Sequence, residues 1–511
     1  MDISSVKIGL TCILGLAIIF RIVLRASRYS LPPGPPRLPL IGNVLQMPTE
    51  RAWITFADWA KKYGSIMYLS VLGQSIIVLN SPDVVIELLE RRNRLYSDRP
   101  LIPMAGELLG YSKFIALEPY GSRHRDGRKL LMSGINKSKG HEYSRSQEAK
   151  VIQLVLRLSK TPDRFLRHIR WFVASLVIQI TYGHNAESDD DSLIALGEQV
   201  MDDFGAAVRP GAFLVDSLPI LQHVPSWFPG AGFKVVAKQM RQHADRLRDE
   251  PYSIVKEKLL QGIAPICLTT TLIENNKNPS PEEEDLWKTT ALALFAGGAD
   301  TTVSALYSFF LIMVLYPEVQ QKAQAELDSI IEPGRLPDSS DRPRLPYNDA
   351  LVKEIYRWNP VAPLALPHKA TEDDVYEGYH IPAGATVLAN NWAIFHDLSL
   401  YPDPFNVVPE RYLGQTTEHI NPDPRTFAFG YGRRVCPGQS LAEDTIFGVV
   451  AAVLSIFSIS KAIGPDGAPI EPEVSYTGGS LSHPNPFECR IIPRSGEAER
   501  LITNIAVMQS T

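Results

Sequence analysis

Apolar and polar positions along this chain follow two different periods. Apolar residues recur at helical spacing over residues 52–62, fall into two short β-type runs within 66–78 broken at Gly73, and return to helical spacing over 83–90. This mixture predicts a small sheet near the N-terminus. Residues 96–115 have little periodicity and carry Pro100, Pro103, Gly106 and Gly110, which predicts a long loop, and loops of that length are often functional. Residues 145–260 are predicted helix-rich, with amphipathic runs at 148–158 and 169–182. A turn, Pro225-Ser-Trp-Phe-Pro-Gly230, interrupts them; its two aromatics are either buried or free to enter a membrane interface. Next, Pro279-Ser-Pro-Glu-Glu-Glu-Asp285 reads as a helix start, with acids at the positive end of the dipole. The helix predicted over 286–316 would be about 45 Å long. Asp300 at its centre would cost ~3 kcal/mol in lipid, so the pattern predicts a buried helix crossing the interior rather than a membrane span.

The N-terminus differs. Residues 8–20 are free of charge and apolar character resumes after Arg21, giving about 17 residues, at the short end of a bilayer span. Arg21, Arg25 and Arg28 follow where a signal peptide needs small residues. Set against Lys7 and Asp2, they predict a single membrane anchor with the rest of the chain in the cytosol. Leu31-Pro-Pro-Gly-Pro-Pro36 and Arg37-Leu-Pro-Leu-Ile-Gly42 then predict a stiff polyproline hinge. The chain divides into anchor and flank (1–30), hinge (31–42) and body (43–511).

Composition adds little. The chain is 45% hydrophobic and 21% charged, which suits a large core, and its net charge of −5 argues against a nucleic-acid partner. No fixed-period repeat stands out. The four cysteines, Cys12, Cys267, Cys436 and Cys489, are too sparse for a disulfide framework and lack zinc-knuckle spacing.

Candidate chemistry gathers at four places. Gly297 and Thr301 are four apart, so the threonine hydroxyl can bond back to the glycine carbonyl and open the helix beside Ala296, with Asp300 placed to feed protons. Glu354 and Arg357 lie one turn apart, and with Arg411 of Pro409-Glu-Arg-Tyr412 they must satisfy one another if buried. Tyr120-Gly-Ser-Arg-His-Arg-Asp-Gly-Arg-Lys129 puts His124 and Arg128 on one helix face, either a solvated surface or an anion site. Finally, Phe429-Gly-Tyr-Gly-Arg-Arg-Val-Cys-Pro-Gly438 surrounds Cys436 with glycines, and with Arg434 nearby. Glycines let backbone amides approach a sulfur, cations lower a thiol pKa, and a helix starting after Pro437 aims its positive end there. On residues alone this is an activated thiolate, set against a buried structural cysteine.

The ordered set resembles the cytochrome P-450 superfamily over essentially the whole chain. Phe429, Gly432, Arg434, Cys436 and Gly438 meet its haem-loop pattern, residues 296–302 its oxygen-helix pattern, Glu354 and Arg357 its Glu-x-x-Arg pair, and Arg411 its Pro-Glu-Arg motif. The resemblance implies a mainly α fold with small β-sheets, preceded by one N-terminal transmembrane helix, so that 43–511 is a haem-thiolate catalytic domain. It implies haem b with Cys436 as axial iron ligand, an electron-rich thiolate that promotes O–O cleavage. Thr301 and Asp300 would handle oxygen and its protons, next to Ala296 and Gly297. Glu354, Arg357 and Arg411 would be a structural charge triad. Arg434, Arg128, His124 and His368 would hold the haem propionates, arginine being suited to carboxylates by its planar fork. The family usually has Trp where this chain has His124, and Gly127 in the same helix costs up to about 1 kcal/mol relative to Ala.

The implied partners are NADPH-cytochrome P-450 reductase, met by Arg433 and Lys129, together with cytochrome b5, membrane lipid and a hydrophobic small molecule, but no nucleic acid. The implied setting is a monomer, single-pass in the endoplasmic reticulum membrane, using O2 and NADPH-derived electrons. Two segments, Pro225-Ser-Trp-Phe-Pro-Gly230 and Arg357-Trp-Asn-Pro-Val-Ala-Pro-Leu-Ala-Leu-Pro-His-Lys369, are similar to tailoring oxidases of fungal secondary metabolism, tryptamine hydroxylases included. The candidate pocket residues Phe204, Phe213, Leu292, Phe295, Val361, Ala362, Leu366 and Leu481 are apolar, which favours a terpenoid-like skeleton over an indole, tryptamine or polyketide. For an amine substrate, Asp202 or Asp203 is the candidate acid. A reductase-independent isomerase or lyase is the competing reaction class; such enzymes often lack the acid–threonine pair kept here.

Overall fold

Leu72 and Gly73 both adopt positive φ, 48° and 86°, and this two-residue turn folds strand β1 (Ile66–Val71) back on β2 (Gln74–Leu79) in antiparallel register. Helix α1 (Ala52–Tyr63) precedes them. The computed structural model describes residues 30–135, 140–276, 278–414 and 421–510; the predicted anchor and Cys12 lie outside the described residues. Two strands from far along the chain complete the sheet. β3 (His368–Lys369) and β4 (Thr386–Ala389) give the order β1-β2-β4-β3, with β4 parallel to β2. Two small two-stranded sheets pair Asp374–Tyr376 with Tyr379–Ile381 and Phe457–Lys461 with Cys489–Pro493.

Helices make up most of the rest: α2 (Ser122–Ile135), α3 (Gly140–Lys160), α4 (Phe165–Tyr182), α5 (Ser192–Ala207) and α6 (Gly232–Leu260). They are followed by α7 (Pro281–Ala299), α8 (Thr301–Leu315), α9 (Pro346–Trp358) and α10 (Gln439–Ile456). The start of α7 is fixed by a capping box: Glu283 N–H donates to Ser280 Oγ at 3.2 Å, and Ser280 N–H donates to the Glu283 carboxylate at 2.8 Å. From there α7 and α8 run through the interior, packed on α2, α4, α6, α9 and α10. Residues 281–315 and α10 are apolar and long enough to cross a membrane, yet both are mostly buried inside the protein.

Two sequence expectations change. Residues 96–115 are less loop-like than predicted: Pro103–Leu108 and Tyr111–Lys113 form helical turns, and Met104 and Ala105 are fully buried. The helix cost assigned to Gly127 has a packing return. A Cβ there would lie 3.2 Å from both Ile115 Cδ1 and Leu286 Cδ1, so glycine lets α2 sit close to α7.

Candidate active site

Cys436 is presented by a loop clamped at both ends. Gly430 and Gly432 adopt φ of +82° and +53°, and a Cβ on Gly432 would lie 2.5 Å from the Leu89 carbonyl oxygen. Gly432 N–H donates to Glu90 Oε1 at 2.7 Å, Cys436 N–H donates to the Phe429 carbonyl at 2.7 Å, and the Phe429 ring meets Tyr356 edge-on at 5.2 Å. Beyond the sulfur, Gly438 caps α10, and a Cβ on it would come within 3.8 Å of Sγ. Burial raises the Cys436 thiol pKa above its usual value, against the lowering pull of the Gly438 N–H and the Arg128 guanidinium. The cation acting on the sulfur is therefore Arg128 rather than Arg434. Cys436 is thus solvent-accessible in spite of strong desolvation of its sulfur.

A second opening lies at the junction of α7 and α8. Thr301 Oγ1 donates to the Gly297 carbonyl at 2.8 Å, and the helix predicted as continuous breaks at Asp300 (φ −99°, ψ −36°). A hydroxyl bonded back to its own helix opens the ladder in this way. Gly297 is exposed although most of the residues before it in α7 are buried, a Cβ there would meet nothing within 4 Å, and Ala296 beside it is half-buried. Asp300 Oδ2 accepts from His483 Nε2 at 3.1 Å. Burial raises the Asp300 pKa, but the His483 hydrogen bond and the Arg170 charge outweigh it and hold the carboxyl below its usual range.

The predicted propionate contacts converge on one buried, cationic region. His124 and His368 are 2% and 3% exposed. Burial, reinforced by Arg434, Arg128 and Arg99, pushes His124 down to about 3, and burial with Arg99 pushes His368 down to about 3. His368 Nδ1–H donates to the Tyr96 carbonyl at 2.7 Å, whereas His124 Nδ1 is buried without a partner. Arg434 donates to the carbonyls of Ser97 (2.7 Å), Ile115 (3.2 Å) and Glu118 (2.7 Å), and burial lowers its pKa to about 10. Among the described residues, half-buried Arg128 has no hydrogen-bond or ion-pair partner. Sequence reasoning missed Arg99, which is 6% exposed, donates to the Ala116, Leu366 and Pro367 carbonyls, and is lowered to about 9 by burial and by Arg434. His483 was missed too; only its distant partner, Asp300, gives it meaning.

The charge triad closes as its burial requires. Glu354 and Arg357 are fully buried and Arg411 is 8% exposed. Arg357 Nε pairs with Glu354 Oε2, and Arg411 Nε donates to Glu354 Oε1 at 2.8 Å. Val408 N–H also donates to Oε1 at 2.9 Å, and carbonyls of Phe395, Pro404 and Asn406 take the remaining Arg357 donors.

The candidate pocket residues separate into groups. Ser482 N–H donates to the Val361 carbonyl at 2.8 Å and its own carbonyl accepts from Ser304 Oγ at 2.5 Å, which ties Val361 and Leu481 to the start of α8. Ala362, Leu366, Phe204 and Phe213 are half-buried, with Phe204 edge-on to Tyr111 at 5.1 Å, and Leu292 is buried. Phe295 faces away from Gly297: its ring packs where a Cβ on Gly197 of α5 would come, 2.4 Å from Cζ, so it belongs to the α5–α7 core. Asp203 is already engaged by His243 Nδ1 at 2.7 Å and Gln199 at 2.9 Å, and Asp202 is exposed. Trp227 and Phe228 are 80% and 51% exposed, which decides between the two readings of that turn.

The family model described as cytochrome P-450 matches residues 32–490. Cytochrome P-450 monooxygenase 208 of Postia placenta is 42% identical over 94% of this chain and 93% of its own length. Cytochrome P-450 monooxygenase claR of Ampulloclitocybe clavipes is 42% identical over 93% of this chain and 88% of its own. Tryptamine 4-monooxygenase of Psilocybe cyanescens is likewise 42% identical, over 93% and 95%. The chain belongs to the cytochrome P-450 monooxygenase family, and is thereby an oxidoreductase. The family binds haem through a thiolate, uses O2, generally receives electrons from a reductase and acts on small molecules.

Proposed function

We propose that this chain is an NADPH-dependent monooxygenase that hydroxylates a hydrophobic, terpenoid-like intermediate of fungal secondary metabolism, in which the Cys436 sulfur would hold haem b. The observation that carries this reading is a desolvated yet accessible Cys436 sulfur, hydrogen-bonded by Gly438 N–H and adjacent to an Arg128 guanidinium without a partner. The residues present fit the group: Arg99, Arg128, Arg434 and the bare His124 Nδ1 crowd positive charge and an open polar atom together, as acidic side arms require. When bound, haem supplies O2 activation, in which one oxygen enters a substrate C–H bond and the other leaves as water, taking up two electrons and two protons. Thr301 holds the notch at Gly297 open and Asp300 brings protons to it. Glu354, Arg357 and Arg411 keep the 354–411 region in place.

The apolar character of the candidate pocket residues Leu292, Val361, Ala362, Leu366 and Leu481, and the engagement of Asp203 by His243, support a hydrocarbon skeleton rather than an amine. Tryptamine or another indole is the second reading, favoured by the relative named tryptamine 4-monooxygenase. We place the protein as a monomer in the endoplasmic reticulum membrane, anchored by residues 1–30 through the 31–42 hinge. There it receives electrons from NADPH-cytochrome P-450 reductase, with cytochrome b5 as a second donor, at a face carrying the exposed Arg433 and Lys129.

The reduced carbon-monoxide difference spectrum tests the ligand. Wild type should give the thiolate-type band, and a Cys436→Ala variant that keeps it would sink the assignment. Feeding terpenoids and indoles to a strain expressing the chain with a reductase tests the substrate: an oxidised terpenoid is expected, and oxidation of indoles alone would favour the second reading. Product formation without NADPH would instead indicate an isomerase or lyase.

A further inference from the structure

The candidate pocket segment 361–367 is held by its carbonyls. Those of Val361 and Pro363 accept from Ser482 N–H at 2.8 Å and Trp392 N–H at 3.1 Å, and those of Leu366 and Pro367 accept from Arg99 at 2.9 and 2.6 Å. The Ala362 carbonyl accepts twice, from Ala365 N–H at 3.0 Å and from the Asn391 side chain at 3.2 Å. Ala365 has a φ of +53°, a left-handed conformation that a residue other than glycine rarely adopts. Strain of this kind persists only where the surroundings impose it. Asn391 is the part of those surroundings that reaches the Cys436 loop. It opens the short helix Asn391–Phe395, just after β4. Its Nδ2 gives one hydrogen to the Ala362 carbonyl and the other to the Phe427 carbonyl, also at 3.2 Å, while its Oδ1 accepts from the Tyr431 hydroxyl. Two carbonyls can only accept, so this orientation of the amide is fixed. Tyr431 stands between the left-handed Gly430 and Gly432, and both it and Asn391 are buried.

We propose that Tyr431 and Asn391 form a bridge that sets where the 361–367 segment stands relative to Cys436, and thereby which carbon of a bound substrate is oxidised. Neither residue touches the reacting atoms; both are positioning residues. The Tyr431 hydroxyl holds Oδ1, which keeps both amide hydrogens on their carbonyls. Without that hydroxyl, Oδ1 is left bare in a buried site, which is costly, and the amide turns to find another donor. The Ala362 carbonyl then loses its tie to the loop, and the strained Ala365 turn is free to relax. A shift of about 1 Å in one side of a pocket is enough to re-aim a bound skeleton. The sulfur itself keeps its place, because Cys436 N–H still donates to the Phe429 carbonyl and Gly432 N–H to Glu90.

This inference rests on the haem-thiolate reading with 361–367 beside its pocket, and its test separates the two. Tyr431→Phe removes only the hydroxyl, and Asn391→Ala removes the amide. Tyr401→Phe is the control for a merely structural loss, since it takes away another buried tyrosine's hydroxyl, bonded to the Pro422 carbonyl at 3.0 Å. In the haem-loaded full chain, amide hydrogen exchange is followed at Ala365 and Trp392, whose N–H groups rest on carbonyls of the segment. Both bridge variants should exchange there at least about 10-fold faster than wild type and Tyr401→Phe. The second readout is binding of imidazole and of phenylimidazole, which ligate haem iron through nitrogen; only the phenyl group senses the pocket side. The ratio of their dissociation constants should shift at least about 3-fold in each bridge variant, and no further in the double variant, because the two residues act in one chain. Either readout unchanged in Tyr431→Phe would overturn the proposal, as would equal shifts in Tyr401→Phe or additive shifts in the double variant. The reduced carbon-monoxide band should persist in both bridge variants. Its loss there would mean that the hydroxyl holds the sulfur loop instead, which overturns the proposal too. A wild type without that band would overturn the haem-thiolate reading itself, and the positioning role with it.

Discussion

Gly432 shows how much a single residue can decide in this protein. Its φ of +53° is left-handed, and a Cβ there would lie 2.5 Å from a backbone carbonyl oxygen, which no rotamer change can relieve. Gly432→Ala should therefore displace the Cys436 loop, costing ~2 kcal/mol or more, and lose the thiolate-type band more readily than global fold measured by circular dichroism. Thr301 acts through one atom, its hydroxyl on the Gly297 carbonyl. Thr301→Ala should leave NADPH consumption substantial but cut product per NADPH about tenfold, with peroxide making up the difference, and Thr301→Ser should restore most of the coupling. Undiminished product yield in the Ala variant would count against the notch.

At the scale of elements, the buried triad decides whether α9 stays docked on the 402–411 segment. Removing one charge leaves two arginines without a counter-ion in a dry site, so Glu354→Ala should cost about 3–5 kcal/mol, read as a lowered denaturation midpoint or as loss of folded protein. Gly127 tests helix proximity. Gly127→Ala gains helix propensity and meets only the ends of two flexible side chains at 3.2 Å, so it should be nearly neutral, whereas Gly127→Val should overpack the α2–α7 contact by about 1–3 kcal/mol. These elements were partly legible in the sequence. The helix start before α7, the bond from Thr301 to Gly297 and the glycines flanking Cys436 depend on residues within a few positions of one another, so spacing reveals them. The partners of Asp300 and β2 do not: His483 is 183 residues from Asp300, and β4 pairs with a strand some three hundred residues earlier. Phe295 misled because an apolar residue on an interior helix can face either the cleft or a neighbouring helix, and only Gly197 decides which.

For the whole molecule, the crowding of cations has a consequence that reaches beyond the site. His124 and His368 are held neutral, at about 3, by burial and by the arginines around them. In the unfolded chain they titrate near ~6.5. Between those values the unfolded state binds more protons than the folded one, so stability rises with pH through this window and is lost as pH falls below about 6.5. Each histidine contributes a slope that is about 0.7 kcal/mol per pH unit at 6.5 and approaches about 1.4 kcal/mol per pH unit only well below it. Urea unfolding of the haem-free chain between pH 5.5 and 7 should show this loss on acidification. The His124→Gln, His368→Gln double variant should flatten it by about 1.5–2 kcal/mol per pH unit averaged over that range, even if it is less stable at pH 7. Equal slopes in the two proteins would mean that neither imidazole is kept neutral. An anion seated among Arg99, Arg128 and Arg434 offsets the repulsion that depresses both histidines, so binding haem b with its acidic side arms should shallow the wild-type slope. A slope unmoved by haem would separate this cationic cluster from the propionates.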